Sequence, residues 1–558
     1  MLNPHHQRLA LVLILLTYLT IGALYAALTP DWQVPDEPAH YNYIRQLAAG
    51  RLPVIEPGDY DPTYLEKLKA ERFPLHYPLS SIQYEDHQPP LYYLLATPLF
   101  GLSDGVLFPL RLFSLLLGAG VILLAYRIGV RVFPGRPLLT FTAVALIAFI
   151  PQHIAMMAGV NNDSLAELLL AAALLGMVTI HQGGKDFYPP AYQAKASPPS
   201  VPPAYGGEGL AGLRPPRFPC SEGVCDPDSA TRDAGQCAAY PNGCRPAGSK
   251  KPGIRTWLDT CGGKDFYPWL LGLLLGAIFA TKIQAYIAAP VLGLAILIRW
   301  QRERESVSWL LRWLVGVFGP ALLIGALWWG RNIVVYGGLD WMGLGRHNAV
   351  VLGQPTTAGW IANFGLPALL GRFLQFTFQS FWGMFGWMGV IMDARVYQAL
   401  AVLTAVTVLG FCLAVIRKSG DLGKRSSNLP IRFLLALSAL LTASGYLWYN
   451  LSFVQHQGRY LFPALVPLGL AAGVGWERLT RTRPARIAAA VLLAAAVGVF
   501  VLGGYAYLAL LCGGAAGLLW LNTWLLPRFR WLLPAAVGLG LAVLSFASLF
   551  LFVIPGLN

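Results

Sequence analysis

Charge is scarce in this chain. Only 12% of its 558 residues are Asp, Glu, Lys or Arg, while 56% are hydrophobic. A soluble domain carries about twice that charge, so a soluble globular fold is excluded. Strict alternation of polar and apolar residues is also missing, which excludes a membrane β-barrel. No small-residue cleavage site follows the first apolar run, so that run reads as a retained helix and signal anchor. Acid is scarcer than base, 27 against 41, for a net charge of +14. Cysteine is rare, and five of the seven fall in one stretch, so the apolar body carries no disulfide framework. What is present instead is a series of apolar runs of about 18–25 residues, each long enough to cross a bilayer core as a helix. The fold class is an all-α polytopic membrane protein.

The excess of base does not point to nucleic acid. Arg127, Arg131 and Arg136 lie in a short turn between apolar runs, as do Arg299, Arg302 and Arg304. Arg417, Lys418, Lys424 and Arg425 form a third group, Arg478, Arg481, Arg483 and Arg486 a fourth, and Arg528 and Arg530 a fifth. Every second turn is basic, which marks a cytoplasmic face by the positive-inside rule. Thirteen spans fit this alternation: near 9–28, 106–130, 137–155, 163–182, 268–282, 285–299, 308–333, 394–416, 430–450, 460–477, 485–506, 507–525 and 532–554. The N-terminus is then inside and the C-terminus outside.

The few acids are not spread evenly. Ten of the 27 fall in the first outer loop, residues 29–88. Most are ordinary loop and cap residues, but Asp36-Glu37-Pro-Ala-His40 stands apart. Pro38 suits the first turn of a helix, and Glu37, His40, Tyr41 and Ile44 then share one face of a short surface helix. Capping would need only one acid and no histidine. A second polar group, Glu85-Asp-His87-Gln-Pro-Pro, leads into an apolar helix too short to span. A third, Asn162-Asp163-Ser-Leu-Ala-Glu167, enters the fourth span from the same side. Asp163 is a natural N-cap there, and Glu167 lies a turn into the bilayer, where an acid is costly. Asp163 and Glu167 together could ligate a divalent cation such as Mg or Mn through oxygen.

Cations gather at the same ends of the spans. Lys282 follows Thr281 at the turn of a hairpin. Arg331-Asn332 closes the seventh span, and His456-Gln-Gly-Arg459-Tyr460 opens the tenth. Each could simply snorkel to the interface. Converging from three spans, they could also grip a phosphate.

Asp-Glu-Pro-x-His, His-x-Pro-Pro-Leu-Tyr-Tyr, Thr-Lys, Arg-Asn-x-x-x-Tyr-Gly and Gln-Gly-Arg-Tyr-x-x-Pro occur here in that order. Together they resemble the bacterial membrane glycosyltransferases of the GT-C fold, of the protein-mannosyltransferase and aminoarabinose-transferase type, with a related group of uncharacterised membrane proteins. The resemblance implies sugar transfer from a polyprenyl-phosphate donor to a lipid, glycan or protein acceptor on the outer face of the cytoplasmic membrane, with no nucleic acid involved. It implies Asp36 as the catalytic carboxylate of the first loop, acting as base toward the acceptor hydroxyl or orienting it, with Glu37 supporting it. It implies Lys282, Arg331 and Arg459 as the grip on the donor phosphate. His40, His87, Asn162 and Tyr460 complete the expected substrate-binding set. The usual Tyr-Gly-Asp ending is Tyr336-Gly-Gly here. A transporter or flippase of lipid-linked sugars is the alternative, but it would place ionisable groups near the midplane and show internal repeats. A membrane scaffold would leave His40, His87 and the outer cations without a role.

Residues 183–267 interrupt the pattern and divide the body into 1–182 and 268–558, the latter with an outer loop at 334–393. The interruption is rich in Pro, Gly and Ser and holds Cys220, Cys225, Cys237, Cys244 and Cys261. The same seven residues, Gly-Gly-Lys-Asp-Phe-Tyr-Pro, stand at 183–189 and 262–268. This reads as an insertion flanked by a duplicated target. Its cysteine spacings are too wide for paired zinc knuckles, and a disordered cytoplasmic loop is the expectation.

Overall fold

A computed structural model describes residues 4–74, 76–182, 263–418 and 428–557 of the protein. The insertion expected at 183–267 lies almost wholly outside the described residues. Helix α1 (Pro4–Leu28) leads into a first loop carrying α2 (Glu37–Ala48), α3 (Pro62–Ala70) and α4 (Leu91–Leu102). Then come α5 (Leu107–Val132), α6 (Pro137–Ala148), α7 (Pro151–Met157) and α8 (Asp163–His181). After the insertion follow α9 (Gly263–Phe279), α10 (Ala288–Glu303) and α11 (Val307–Tyr336). A second loop holds α12 (Leu344–Val350), α13 (Thr357–Phe364), α14 (Leu366–Trp382) and the antiparallel pair Met384–Phe385 with Val390–Ile391. The last helices are α15 (Ala394–Lys418), α16 (Leu429–Ser452), α17 (Leu465–Leu479), α18 (Thr482–Gly503), α19 (Ala506–Asn522) and α20 (Leu532–Ser548).

Ten helical stretches among the described residues are long and apolar enough to cross a membrane, or eleven with one bent pair. The bent pair is α6 with α7, read above as one span at 137–155 and turned by 61°. Pro151 causes the break: it has no N–H for the helix ladder and forces Ile150 into extended backbone. The apolar stretches Phe266–Phe279 and Ala506–Asn522 are the two other expected spans that fall short in length. The expectation of thirteen full spans is therefore replaced by ten or eleven.

Close helix contacts rest on small residues, as expected where lipid offers no hydrophobic drive. Helix α17 packs along α6 and α15. A Cβ on Gly473 would stand 2.4 Å from the Leu139 carbonyl of α6, and one on Gly475 would stand 2.7 Å from the Thr407 carbonyl of α15. These contacts fix α17 lengthwise, so the turn that precedes it, Gly458–Ala464, is held in place at the end of the bundle where the first loop folds.

Candidate active site

Helix α2 is not a surface helix with a wet face. Glu37, Pro38, Ala39, His40, Asn42, Tyr43 and Ile44 are all buried. The first loop folds over it, and the Asn42 side-chain amide donates to the carbonyls of Leu79 and Ile82. Asp36 stands just before the helix with φ of 68°, a left-handed conformation that costs a non-glycine residue energy and that Asp adopts more readily than most. Its carbonyl accepts the first helical bonds from Ala39 and His40, but its carboxylate caps nothing. The carboxylate turns away instead, receiving Arg459 Nη2 at 2.7 Å and the Tyr84 hydroxyl at 2.9 Å.

Arg459 reaches Asp36 because of the residue before it. The Gly458 backbone lies against α14, where a Cβ would meet the Thr377 carbonyl at 2.3 Å and the Phe381 nitrogen at 2.5 Å. The Gly458 N–H donates to Ser380 Oγ at 2.7 Å. Gln457 Oε1 accepts from Arg459 Nε at 2.7 Å and fixes the plane of the guanidinium. The Gln-Gly-Arg-Tyr motif is thus a docked turn that aims one arginine. Tyr460 follows with its ring beneath the Arg459 guanidinium, 5.4 Å away.

A second ion pair lies beside the first. Lys282, in the turn after α9, binds Asp163 Oδ1 at 2.6 Å and Asn162 Oδ1 at 2.8 Å. Asn162, not Asp163, occupies the cap position of α8, and neither side chain caps it. The two pairs share one electrostatic field, since Asp163 also feels Arg459 and His40. His40 is buried, with Nδ1 2.9 Å from the Tyr93 hydroxyl. Asn162 further donates to Gln88 Oε1 at 3.3 Å, which ties the second motif to the third.

Burial pushes the Asp36 carboxyl up, but the Arg459 charge beside it, with the Arg459 and Tyr84 hydrogen bonds, pulls it down to about 2. Burial holds His40 below the usual imidazole range, so it is neutral at pH 7. Burial raises Glu85, whose Oε2 has no partner among the described residues and which senses His40, Asp36 and Lys282.

Other expected site residues are employed differently. Glu37 is fully buried and receives Arg111 through both carboxylate oxygens, at 2.9 and 2.7 Å. The backbone N–H groups of Val160 and Trp32 add two more bonds. Arg111 in turn donates to the carbonyls of Ala26, Thr29 and Pro30. With every lone pair engaged, Glu37 is a framework residue rather than a second catalytic acid. Arg331 is not at the Asp36 cluster: it binds the Pro53 carbonyl, Asn332 and the Tyr336 hydroxyl, and clamps the first loop to the end of α11. His87 donates from Nδ1 to the Tyr84 carbonyl and its ring lies 4.2 Å from that of His347.

The expected divalent-cation site does not fit. Asp163 already holds a lysine at cation distance, and Glu167, one turn further along the helix, is taken up by His153 at 3.1 Å. Among the described residues no group of three or more His, Cys, Asp or Glu could hold a metal ion.

Tyr84, Arg111 and His153 are the polar partners that sequence reading missed, while Glu85 and Gln88 entered it only as members of the second polar group. Arg111 had a visible signal, being a lone charge inside a long apolar run. Tyr84 had none.

The segment from His87 through α8 carries one side of this cluster. Residues 87–189 match the dolichyl-phosphate-mannose-protein mannosyltransferase family. The match bears out the resemblance read from the motif order, and its segment holds His87, Asn162, Asp163 and Glu167. No curated protein sequence matches the chain. Among solved structures, ArnT from Cupriavidus metallidurans bound to undecaprenyl phosphate is similar at 13% identity and a TM-score of 0.45, over 96% of this chain and 76% of that one. The oligosaccharyltransferase from Archaeoglobus fulgidus, tethered with an acceptor peptide, is similar at 12% identity and a TM-score of 0.40, over 95% of this chain. This chain spans 55% of that oligosaccharyltransferase's length.

Proposed function

We propose that the protein is a multi-pass membrane glycosyltransferase of the GT-C type, moving a sugar from a polyprenyl-phosphate donor to an acceptor on the outer face of the cytoplasmic membrane. The observation that carries this reading is the paired arrangement of Asp36 with Arg459 and Asp163 with Lys282 at one end of the bundle, beside the mannosyltransferase-family segment. Two cations held by carboxylates form a site that can exchange a carboxylate for a phosphate.

The exchange prepares the base. While Arg459 is held by Asp36, the carboxylate is a poor base, at about 2. When the donor phosphate takes over Arg459, Asp36 loses its strongest stabilising neighbour and its basicity rises. The acceptor hydroxyl or amine then gives its proton to Asp36 and attacks the anomeric carbon. The bond from that carbon to the phosphate oxygen breaks, and the oxygen keeps the electron pair. Arg459 and Lys282 meet the charge that grows there, as preorganised cations do. A quarter of the Asp36 side chain is exposed, so an acceptor can reach it. Tyr84 holds the carboxylate in place throughout.

The test is transfer from a labelled polyprenyl-phosphate sugar by the purified, reconstituted protein. Asp36→Asn should lower kcat by about 100-fold or more, the range of a lost general base. Equal turnover in the variant and the native protein would remove Asp36 from the mechanism.

A further inference from the structure

The bundle carries a second polar feature at the end opposite the Asp36 cluster. The stretch Gly458–Leu479 has Arg459 as its second residue and ends one residue before Thr480. At 1.5 Å per residue it separates these ends by roughly 30 Å, a bilayer core. A cavity of about 340 Å³ opens there, lined among others by Leu138, Thr480, Arg481, Thr482, Arg530 and Trp531.

Its lining is cationic and uncompensated. The Arg530 guanidinium is locked by four neutral acceptors: the carbonyls of Leu525, Thr480 and Thr523, and the Thr482 hydroxyl. Neither Arg530 nor Arg481 has a carboxylate at ion-pair distance among the described residues, and Arg481 is exposed. Arg136, nearby, is paired with Glu477 yet still feels the repulsion of Arg481 and Arg432. The lining also includes the opening residues of three helices, α6, α18 and α20, none with a side-chain cap. Helix starts add partial positive charge to that of the two arginines. Trp531 in the lining is 50% exposed, and Phe529 and Leu526, close to the lining residues Pro527 and Arg530 in sequence, are 42% and 56% exposed, so the surroundings are apolar and aromatic. A held guanidinium with no counter-charge, a free one beside it, and apolar surroundings at membrane depth fit one ligand chemistry.

We infer that this cavity binds the phosphate group of an anionic phospholipid, with its acyl chains along these exposed apolar side chains. Basic cavities between spans on the basic face are suited to such headgroups. This site is independent of the sugar-transfer reading, since it lies at the other end of the bundle.

The experiment is native mass spectrometry of the full-length protein in detergent, mixed with phosphatidylglycerol or with phosphatidylcholine. Phosphatidylglycerol should be retained in preference to phosphatidylcholine. Arg481→Glu should cut that retention by about fivefold or more, from about 1 kcal/mol per basic group at the surface. Arg302→Glu, on another basic turn of the same end, should leave retention unchanged. Because Arg481 is exposed, its variant should melt with the native protein in phosphatidylcholine alone, which separates lost binding from lost folding. Equal retention in Arg481→Glu and the native protein overturns the site, as does an equal loss in both variants. Stabilisation of the native protein by inorganic phosphate alone, with no preference between the lipids, overturns the lipid as its source.

Discussion

Asp36 and Arg459 stand 423 residues apart in the chain and meet at 2.7 Å. Neither is free to wander. Asp36 is fixed by its left-handed backbone and by Tyr84, and Arg459 by Gln457 and the docked Gly458 turn. The pair therefore presents one planar, two-pronged cation at a set angle. Arg459→Lys keeps the charge and loses the fork. Its kcat/KM for the donor should fall by about tenfold or more, the value of one charge-assisted hydrogen bond. Steady-state kinetics over donor concentration checks this, and a native kcat/KM would show that only the charge matters.

Glu37 and Arg111 make the opposite case. Their side chains are 0% and 2% exposed, and they bond to each other and to the backbone of two separate segments, residues 26–32 and Val160. Removing one partner leaves the other charge buried and alone, at a cost of about 3–5 kcal/mol. Glu37→Gln and Arg111→Met should each lower the melting temperature and the yield of folded protein. The double variant should be less damaged than the sum of the two. Intact melting with lost turnover in Glu37→Gln would return Glu37 to the catalytic set.

The helical membrane body was legible because the signal repeats: apolar runs of spanning length between basic turns can hardly mean anything else. Asp36, Asn162, Asp163, Lys282 and Arg459 were legible as one cluster at a common end of the helices because charge at a helix end is expensive and sparse. What could not be read was who holds whom. Asp163 looked like a cap or a metal ligand until Lys282 was seen beside it, since pairing between distant spans leaves no local pattern. Glu37 looked equal to Asp36 because they are neighbours in sequence. One residue of backbone rotation sends one carboxylate to the site and the other into the framework. Helices of marginal length, Phe266–Phe279 and Ala506–Asn522, could not be told from full spans by composition.

Gly458 tests whether the docked turn aims the site. Its missing Cβ leaves room for the α14 backbone, which is not a flexible side chain and cannot step aside. Gly458→Ala forces the turn away, costing about 1–3 kcal/mol as overpacking does. The turn carries Arg459, so transfer should fall more than stability does. Measuring both in the same preparation separates them: a variant that melts early but turns over normally would show that the turn is only structural.

Asp86 supplies a pH signature. It is fully buried, and burial pushes its carboxyl up to about 8 although Gln46 donates to it. The unfolded group titrates near 4. Between about pH 4 and 8 the folded state holds a proton that the unfolded state has released, so stability falls as pH rises. Asp86→Asn mimics the protonated acid and removes that dependence. Its melting temperature should match the native protein near pH 4 and exceed it by a growing margin as the pH rises to 8. A difference that stays constant over this range would place the titration elsewhere.

The duplicated Gly-Gly-Lys-Asp-Phe-Tyr-Pro allows a clean deletion. The family match ends at residue 189, the last residue of the first copy. Removing residues 190–268 leaves one copy and joins it directly to Trp269, near the start of the apolar stretch of α9. Every residue of the Asp36 cluster lies outside the deleted segment, and α8 and α9 keep their apolar lengths. The shortened protein should insert in the membrane, be extracted at native yield and show transfer activity within about twofold of the full chain, since long insertions in connecting loops cost little either way. Loss of activity at normal yield would mean that the cysteine-rich segment contributes to the reaction. Loss of yield would mean that it is needed to bring α8 and α9 together.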